Sequence, residues 1–303
     1  MDFENIGASL AERLQRLNQE NERSLAQQHR LTQQERDCQG SELGEMQQLK
    51  EDSFNERAKG KLLNKVALIT GGESGLARAV AIAFAKEGAD IAIAYLNKQQ
   101  EAEQIKQTVE QEGRTCLIIA GDVRDETFCQ QAVQQTINTF TKLDILVNNA
   151  VQQPQNSSEL LSNEQLEQDL DSNICAMFYM TNAAEPYLKE GSVIINTTSV
   201  TSYQGKDQLV DYAASKGAIM TFTRSSSPSL EEKGIRVNGV APGPLWTLQV
   251  PAAVNSDKVE EFSNQLPKGQ IIEPEEIASS FVFLASDESA YMAGQILFTQ
   301  THF

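Results

Sequence analysis

From Lys61 onward the chain alternates short apolar runs with longer amphipathic stretches, and this alternation constrains the fold more than any other feature. Lys65–Thr70 (KVALIT), Asp90–Tyr95 (DIAIAY), Thr115–Ala120, Asp144–Val147, Val193–Asn196, Ile235–Val240 and Gln295–Phe298 read as strands. Between them, Leu76–Glu87, Gln99–Glu112, Glu126–Phe140, Asn163–Lys189, Asp211–Lys233 and Glu275–Ala285 read as helices, the first two closed by Gly88 and Gly113. Strands that are apolar along almost their whole length need cover on both faces, and interleaved helices supply it. The pattern predicts an α/β fold, a doubly wound parallel sheet of Rossmann type, as a single domain over residues 61–303 with an N-terminal extension.

Residues 1–60 have a different character. They hold nine glutamines and a net charge of −4, and Ile6, Leu10, Leu14 and Leu17 are the main apolar positions with helical spacing. Too few apolar groups are present to build a core, so a partly helical or disordered arm is expected. The reading places 46–61 against the body of the chain or a neighbouring subunit and leaves 1–40 helical at most, so that removing those forty residues is expected to leave the body folded and assembled.

Charge and cysteine usage exclude several function classes. The net charge of −17 offers neither the basic face that nucleic acid requires nor one suited to an anionic membrane. Cys38, Cys116, Cys129 and Cys175 form no C-x-x-C pair, and His29 and His302 lie outside the patterned body, so no zinc site and no serine–histidine–acid triad is expected. No signal-like start and no apolar run of ~18 residues is present, which predicts a cytoplasmic protein with reduced thiols. The N-x-S/T sequences at Asn156 and Asn196 then carry no glycosylation meaning.

Thr70-Gly71-Gly72-Glu73-Ser74-Gly75-Leu76-Ala77 follows the first strand and opens a helix. Glycines there let the backbone turn tightly and approach a pyrophosphate, whose charge rests against the helix N-terminus. Thr70, Gly71, Gly72, Ser74, Gly75 and Leu76 are therefore candidate cofactor residues. Asp122-Val123 and Asn149-Ala150 join them at the ends of the third and fourth strands, where Asp122 suits an adenine contact. The second strand ends Ala94-Tyr95-Leu96, so Tyr95 borders the site and no acid is present for a ribose 2′-hydroxyl. With Lys98 just beyond, NADP(H) is favoured slightly over NAD(H).

Ser199 follows the fifth strand, and Tyr212 and Lys216 fall in the first turns of the next helix. Four residues apart, the tyrosine and lysine share one helix face. A free phenol titrates near pH ~10, too high for a base at neutral pH, and a nearby ammonium favours the phenolate. Such a tyrosine can exchange a proton with a substrate oxygen during hydride transfer while Ser199 hydrogen-bonds the same oxygen. Y-x-x-x-K alone is a common surface pair; joined to a serine thirteen residues earlier in a nucleotide fold, it becomes specific. Tyr203, with Lys206 three residues on and no helix pattern around it, is expected only to line or cover the pocket.

Over about 61–298 the sequence resembles the short-chain dehydrogenase/reductase family, on Thr70–Ala77, Asp122, Asn148-Asn149-Ala150, Asn173, Ser199, Tyr212, Lys216 and Ala241-Pro242-Gly243-Pro244. The resemblance implies a catalytic set of Ser199, Tyr212, Lys216 and Asn173, with Asn173 anchoring a water-linked proton relay through the lysine. It also implies that Tyr212 and Lys216 hold the nicotinamide ribose, that Pro242, Gly243 and Leu245 border the nicotinamide, and that Trp246 and Thr247 belong to a substrate loop. The Gln-rich arm, Gln152-Gln153-Pro154-Gln155 and Pro244-Leu245-Trp246-Thr247 look like the subgroup with an N-terminal extension, labelled glucose/ribitol dehydrogenase-like or general stress oxidoreductase, typically homotetramers. The implied reaction interconverts an alcohol, such as a polyol or sugar, and a carbonyl. The alternatives are a 3-oxoacyl-acyl-carrier-protein reductase and a weakly active or non-catalytic cofactor-binding scaffold. Departures from the family pattern are Ala77 for the third glycine, Val151 after Asn-Asn-Ala, an altered C-terminus, and Ser225-Ser226-Ser227-Pro228, which is expected to interrupt the long helix.

Overall fold

The computed structural model describes residues 60–72, 75–150, 163–205, 210–243 and 272–299. The expectations for the arm up to residue 59, and those for Ser74, Val151, Leu245, Trp246 and Thr247, lie outside the described residues. The order of elements is β1 (Val66–Thr70), α1 (Gly75–Lys86), β2 (Asp90–Tyr95), α2 (Gln99–Gln111), β3 (Cys116–Ala120), α3 (Glu126–Phe140), β4 (Ile145–Asn148), α4 (Asn163–Leu170), a π-helical turn (Asp171–Cys175), α5 (Ala176–Ala184), β5 (Val193–Thr197), the single turn α6 (Thr201–Gln204), α7 (Val210–Glu231), β6 (Arg236–Pro242), α8 (Pro274–Ala285) and β7 (Ile296–Thr299). The seven strands form one parallel sheet in the order β3-β2-β1-β4-β5-β6-β7.

Strand β1 shows why the apolar runs had to be continuous. Its five residues are all buried; Ala67 and Ile69 face one apolar cluster and Leu68 the other. On the first face α1 and α8 pack together, with Phe84 and Phe281 fully buried. On the second, α3, α5 and α7 contribute Phe128, Cys129, Val133, Met180 and Leu230. Burying each large side chain contributes about 1.5–3 kcal/mol, so both layers are needed to hold the sheet. Asn196 is fully buried in β5, which removes it as a glycosylation acceptor. Burial also pushes the Cys116 and Cys129 thiols up to about 12, which keeps them protonated and unreactive. Among the described residues no helix is long and apolar enough to cross a membrane.

Three local expectations are corrected. Residues 163–189 are not one continuous helix: α4 passes into the π-helical turn, then α5, and a 3₁₀ turn at Glu185–Tyr187 follows where Pro186 lacks an N–H. The extra residue in the wide turn re-aims the face that follows and points Asn173 at α7, a device with no local sequence signal. Second, α7 runs through Ser225–Pro228. Ser226 Oγ donates to Phe222 O (2.8 Å), Ser229 Oγ donates to Ser226 O (3.2 Å), and buried Leu230 ties the end to the core. Pro228 thus costs one backbone bond near the end of a helix held by tertiary packing. Third, Tyr203 does lie in a helical turn, α6, 67% exposed and edge-on to Phe298 with centroids 5.7 Å apart.

Candidate active site

The candidate residues gather at the carboxyl ends of β1, β4, β5 and β6, the edge where open α/β sheets hold ligands. The nucleotide side is built from backbone and from missing side chains. Gly71 sits at φ +66°, and a Cβ there would meet Ala150 Cα at 2.7 Å. A Cβ on Gly72 would run into the Ile93 side chain. Both glycine amides donate to Ala94 O, at 2.9 and 3.3 Å, which folds the turn back onto β2. Gly75 then opens α1, whose first turn carries no acid and whose Leu76 is buried. A helix start of this kind presents backbone donors to an anion.

Thr70, Asn149 and Ala150 staple the ends of β1 and β4. Thr70 Oγ1 accepts from the Asn149 and Ala150 amides, both at 3.0 Å, and donates to Val147 O at 3.4 Å. Asn149 Oδ1 accepts from Thr197 Oγ1 at 3.3 Å, which extends the staple to β5. Below it runs a buried polar ladder: Asn148 Nδ2 donates to Thr181 Oγ1 (3.1 Å) and Asn196 Oδ1 (2.9 Å), and Asn196 Nδ2 donates to Thr223 Oγ1 (2.9 Å). A pocket at these strand ends is lined by Thr70, Val123, Ala150, Asn173 and Thr197, among others.

Asp122 is held by the Arg124 guanidinium at 2.6–3.1 Å, and that hydrogen bonding keeps its carboxyl below the usual carboxylate range. Its Oδ1 also accepts from the Arg124 amide at 2.9 Å, so it shapes its own loop. Tyr95 is buried in the core of the sheet and its hydroxyl donates to Gln99 Oε1. Lys98, exposed, occupies the N-cap position of α2 without a side-chain cap. Pro242 O accepts from the Val200 amide at 3.1 Å, and Gly243 is buried beside it.

The other side is built from side chains. Ser199 ends the loop after β5, nearly buried, and its Oγ accepts from the Thr201 amide (3.3 Å) and from Thr201 Oγ1 (3.0 Å). With two bonds accepted, its own proton is the one left to give. Tyr212 and Lys216 stand one turn apart on α7, the Lys216 Nζ 5.6 Å from the centre of the phenol ring. Lys216 is 1% exposed, its Nζ donates to Thr197 O at 2.9 Å, and burial lowers its pKa to about 7. Asn173 Nδ2 donates to Ser215 Oγ (3.1 Å), which donates to Tyr212 O (2.9 Å), linking the π-helical turn to α7.

All four residues of the expected catalytic set thus fall on adjoining elements. Thr197, Thr201 and Ser215 were missed in the sequence, since a serine or threonine beside a motif carries no signal until the fold shows where its hydroxyl points. Among the described residues no cluster of His, Cys, Asp or Glu suits a metal ion.

A family profile described as "Enoyl-(Acyl carrier protein) reductase" matches residues 71–300. The chain is 55% identical to the uncharacterized oxidoreductase YhdF of Bacillus subtilis over 242 residues, 80% of this chain and 84% of that one. It is 43% identical to NADPH-dependent aldehyde reductase 1, chloroplastic, of Arabidopsis thaliana (78% and 85% covered), and 42% identical to glucose and ribitol dehydrogenase of Daucus carota (78% and 84%). A crystal structure of a short chain dehydrogenase from Burkholderia cenocepacia in complex with NADP matches with a TM-score of 0.74 at 30% identity, covering 80% of this chain and 98% of that one.

Proposed function

The chain belongs to the short-chain dehydrogenase/reductase family, oxidoreductases that use a nicotinamide cofactor, and from that premise we propose that it interconverts an alcohol and a carbonyl on a polyol, sugar or small aldehyde, with Ser199, Tyr212, Lys216 and Asn173 as its catalytic residues. The observation that carries this reading is the buried Lys216 ammonium beneath the Tyr212 ring. Among the described residues the Lys216 ammonium meets one carbonyl and the Tyr212 ring and no carboxylate; withdrawing it from water costs several kcal/mol, and a site that stabilises a phenolate gives a reason for that cost.

The cradle fits a dinucleotide: Gly71 at positive φ and Gly72 let the turn pack tightly against Ala150 and Ile93, and the first turn of α1 carries no acid to repel a pyrophosphate. When bound, the nicotinamide supplies or accepts the hydride. Tyr212 passes a proton to or from the substrate oxygen, and Lys216 makes the phenolate accessible near neutral pH. Ser199, its lone pairs occupied by Thr201, directs its proton at the same oxygen and holds it in line. Asn173, fixed through Ser215 to the Tyr212 backbone, anchors the route by which the proton is replaced. Gly75, Leu76, Asp122, Val123, Asn149, Ala150, Pro242 and Gly243 complete the cofactor site.

NADP(H) is the slightly favoured cofactor, because β2 ends without an acid and Lys98 stands exposed at the start of α2. The name of the Arabidopsis relative supports the same preference. The net charge of −13 over residues 61–303 disfavours docking an acidic carrier protein, the requirement of the acyl-carrier alternative. A homotetramer is proposed as well: Phe178 on α5, 42% exposed, stacks edge-on with Phe222 of α7 at 4.5 Å, and β7 forms a half-buried sheet edge. A panel of polyols, sugars, aldehydes and 3-oxoacyl thioesters, assayed with NADPH and NADH by nicotinamide absorbance, tests the reaction; turnover of the thioesters alone would overturn it. Sedimentation tests the assembly, and a monomer would refute it.

A further inference from the structure

A pair of carboxyls plays no part in the chemistry above. Asp169, in the last turn of α4, and Asp211, in the first turn of α7, are 5% and 7% exposed. The two buried carboxyls come together where these helices pack, and each bears on the other. Among the described residues Asp211 Oδ2 has no hydrogen-bond partner, and it is shut off from water. Two bare carboxylates in such a place would repel at close range, and among the described residues no cation pairs with either; one proton between them turns the repulsion into a charge-assisted hydrogen bond.

Position gives the pair its meaning. Asp169 precedes Asn173 by four residues and leads into the π-helical turn, while Asp211 immediately precedes Tyr212. We infer that Asp169 and Asp211 are a proton-sharing clamp that positions the Tyr212 turn of α7 against the turn carrying Asn173. They are positioning residues, and this consequence rests on the catalytic reading of Tyr212 and Asn173. The shared proton itself does not.

Charged groups on the elements around Asp169 are Glu164 and Glu167 on α4, Asp171 on the π-helical turn, and Asp211, Lys216, Arg224 and Glu231 on α7. Lys216 is turned to Thr197 O, and Asp171 acts on Arg124 and Cys175; the group that acts on Asp169 is Asp211. Burial first, then the hydrogen bond to Asp211 and its charge, raise the Asp169 pKa to about 6. An acid raised in the folded state stabilises the fold fully at low pH, and that contribution is lost as pH rises through about 6. The clamp is therefore closed in mild acid and opens toward neutral pH.

The test uses the full-length protein and Asp169→Asn, whose amide can donate to Asp211 at every pH, with Asp169→Ala as the broken clamp. The wild-type pH profile of kcat is expected to carry an inflection near pH 6 that Asp169→Asn removes, with the cofactor KM unchanged. Melting temperature should fall between about pH 4 and about pH 7 less steeply in Asp169→Asn than in wild type. Asp169→Ala should lose kcat several-fold below about pH 6, where the wild-type clamp is closed, and converge on wild type above it, with Asp169→Asn restoring the loss. Carbon-13 spectra of labelled aspartate should show one carboxyl protonated well above the usual aspartate range and absent from Asp169→Asn. A wild-type spectrum with every aspartate titrating in the ordinary range would overturn the pair, as would a kcat inflection that survives in Asp169→Asn. Full turnover in Tyr212→Phe would refute the catalytic reading instead, and leaves the carboxyl spectrum and the melting profiles to judge the pair by themselves.

Discussion

The two ends of the candidate site are made by opposite means. The nucleotide end, from β1 to β4, is defined by what is absent: a Cβ at Gly71 or Gly72, and an acid at the end of β2 or in the first turn of α1. The end from β5 to α7 is defined by what is present and buried: an ammonium on a carbonyl, a serine that accepts two bonds, an asparagine tied through Ser215. The first end tolerates nothing added, because its neighbours are backbone and packed core. The second is expected to lose its chemistry when any one group is taken away, because its groups are held through one another.

Tyr212→Phe should separate the two ends most sharply. Turnover is expected to fall by about 10²–10⁴, with NADPH binding by fluorescence titration retained, since one oxygen carries the proton transfer. Near-normal turnover would remove Tyr212 from the chemistry.

Lys216→Met should abolish turnover and yet stabilise the fold at neutral pH. The folded-state pKa of Lys216 is lowered to about 7, below its unfolded value, so the burial penalty is fully present below about pH 7. It fades as pH rises toward ~10, where the unfolded chain also releases the proton. The variant is expected to exceed wild type by on the order of 3 kcal/mol near pH 7, and by less at each higher pH, in thermal melts. A variant less stable than wild type at pH 7 would show the ammonium to be structural.

At the nucleotide end, Gly71→Ala should cost about 1–3 kcal/mol of stability or dinucleotide affinity, because positive φ and the Ala150 backbone at 2.7 Å both oppose a methyl. Gly217, next to Lys216 on α7, has nothing within 4 Å of a Cβ, so Gly217→Ala is expected to stabilise by about 0.5–1 kcal/mol. That pair of melts tests whether glycine is required for space at one end only. Between them in size, Lys98→Glu should weaken NADPH about tenfold, or ~1.4 kcal/mol, and leave NADH nearly unchanged. Equal losses for both would show that Lys98 does not meet the 2′-phosphate.

Much of this was legible along the chain because the signals are local. Apolar runs between Lys65 and Phe298 marked all seven strands, since a strand buried on two faces can hold few polar residues. Gly71 and Gly72 in a tight turn after β1, and Tyr212 four residues from Lys216, are patterns of spacing within one element. The misreadings occurred where a neighbour decides. Asn173 in the π-helical turn bonds Ser215, forty-two residues away, and α7 continues through Pro228 with Leu230 buried in the core beyond it.

The sequence by itself determined the doubly wound sheet, the placement of the glycine turn after β1 and the serine, tyrosine and lysine of the candidate site. Periodicity and spacing are properties of a chain before it folds. Only the tertiary structure decided that Lys216 is buried against Thr197, that Thr201 occupies the lone pairs of Ser199, and that Asp169 meets Asp211 beside the tyrosine. Burial, desolvation and the direction of a hydroxyl depend on residues brought together from distant segments, and no local pattern encodes them.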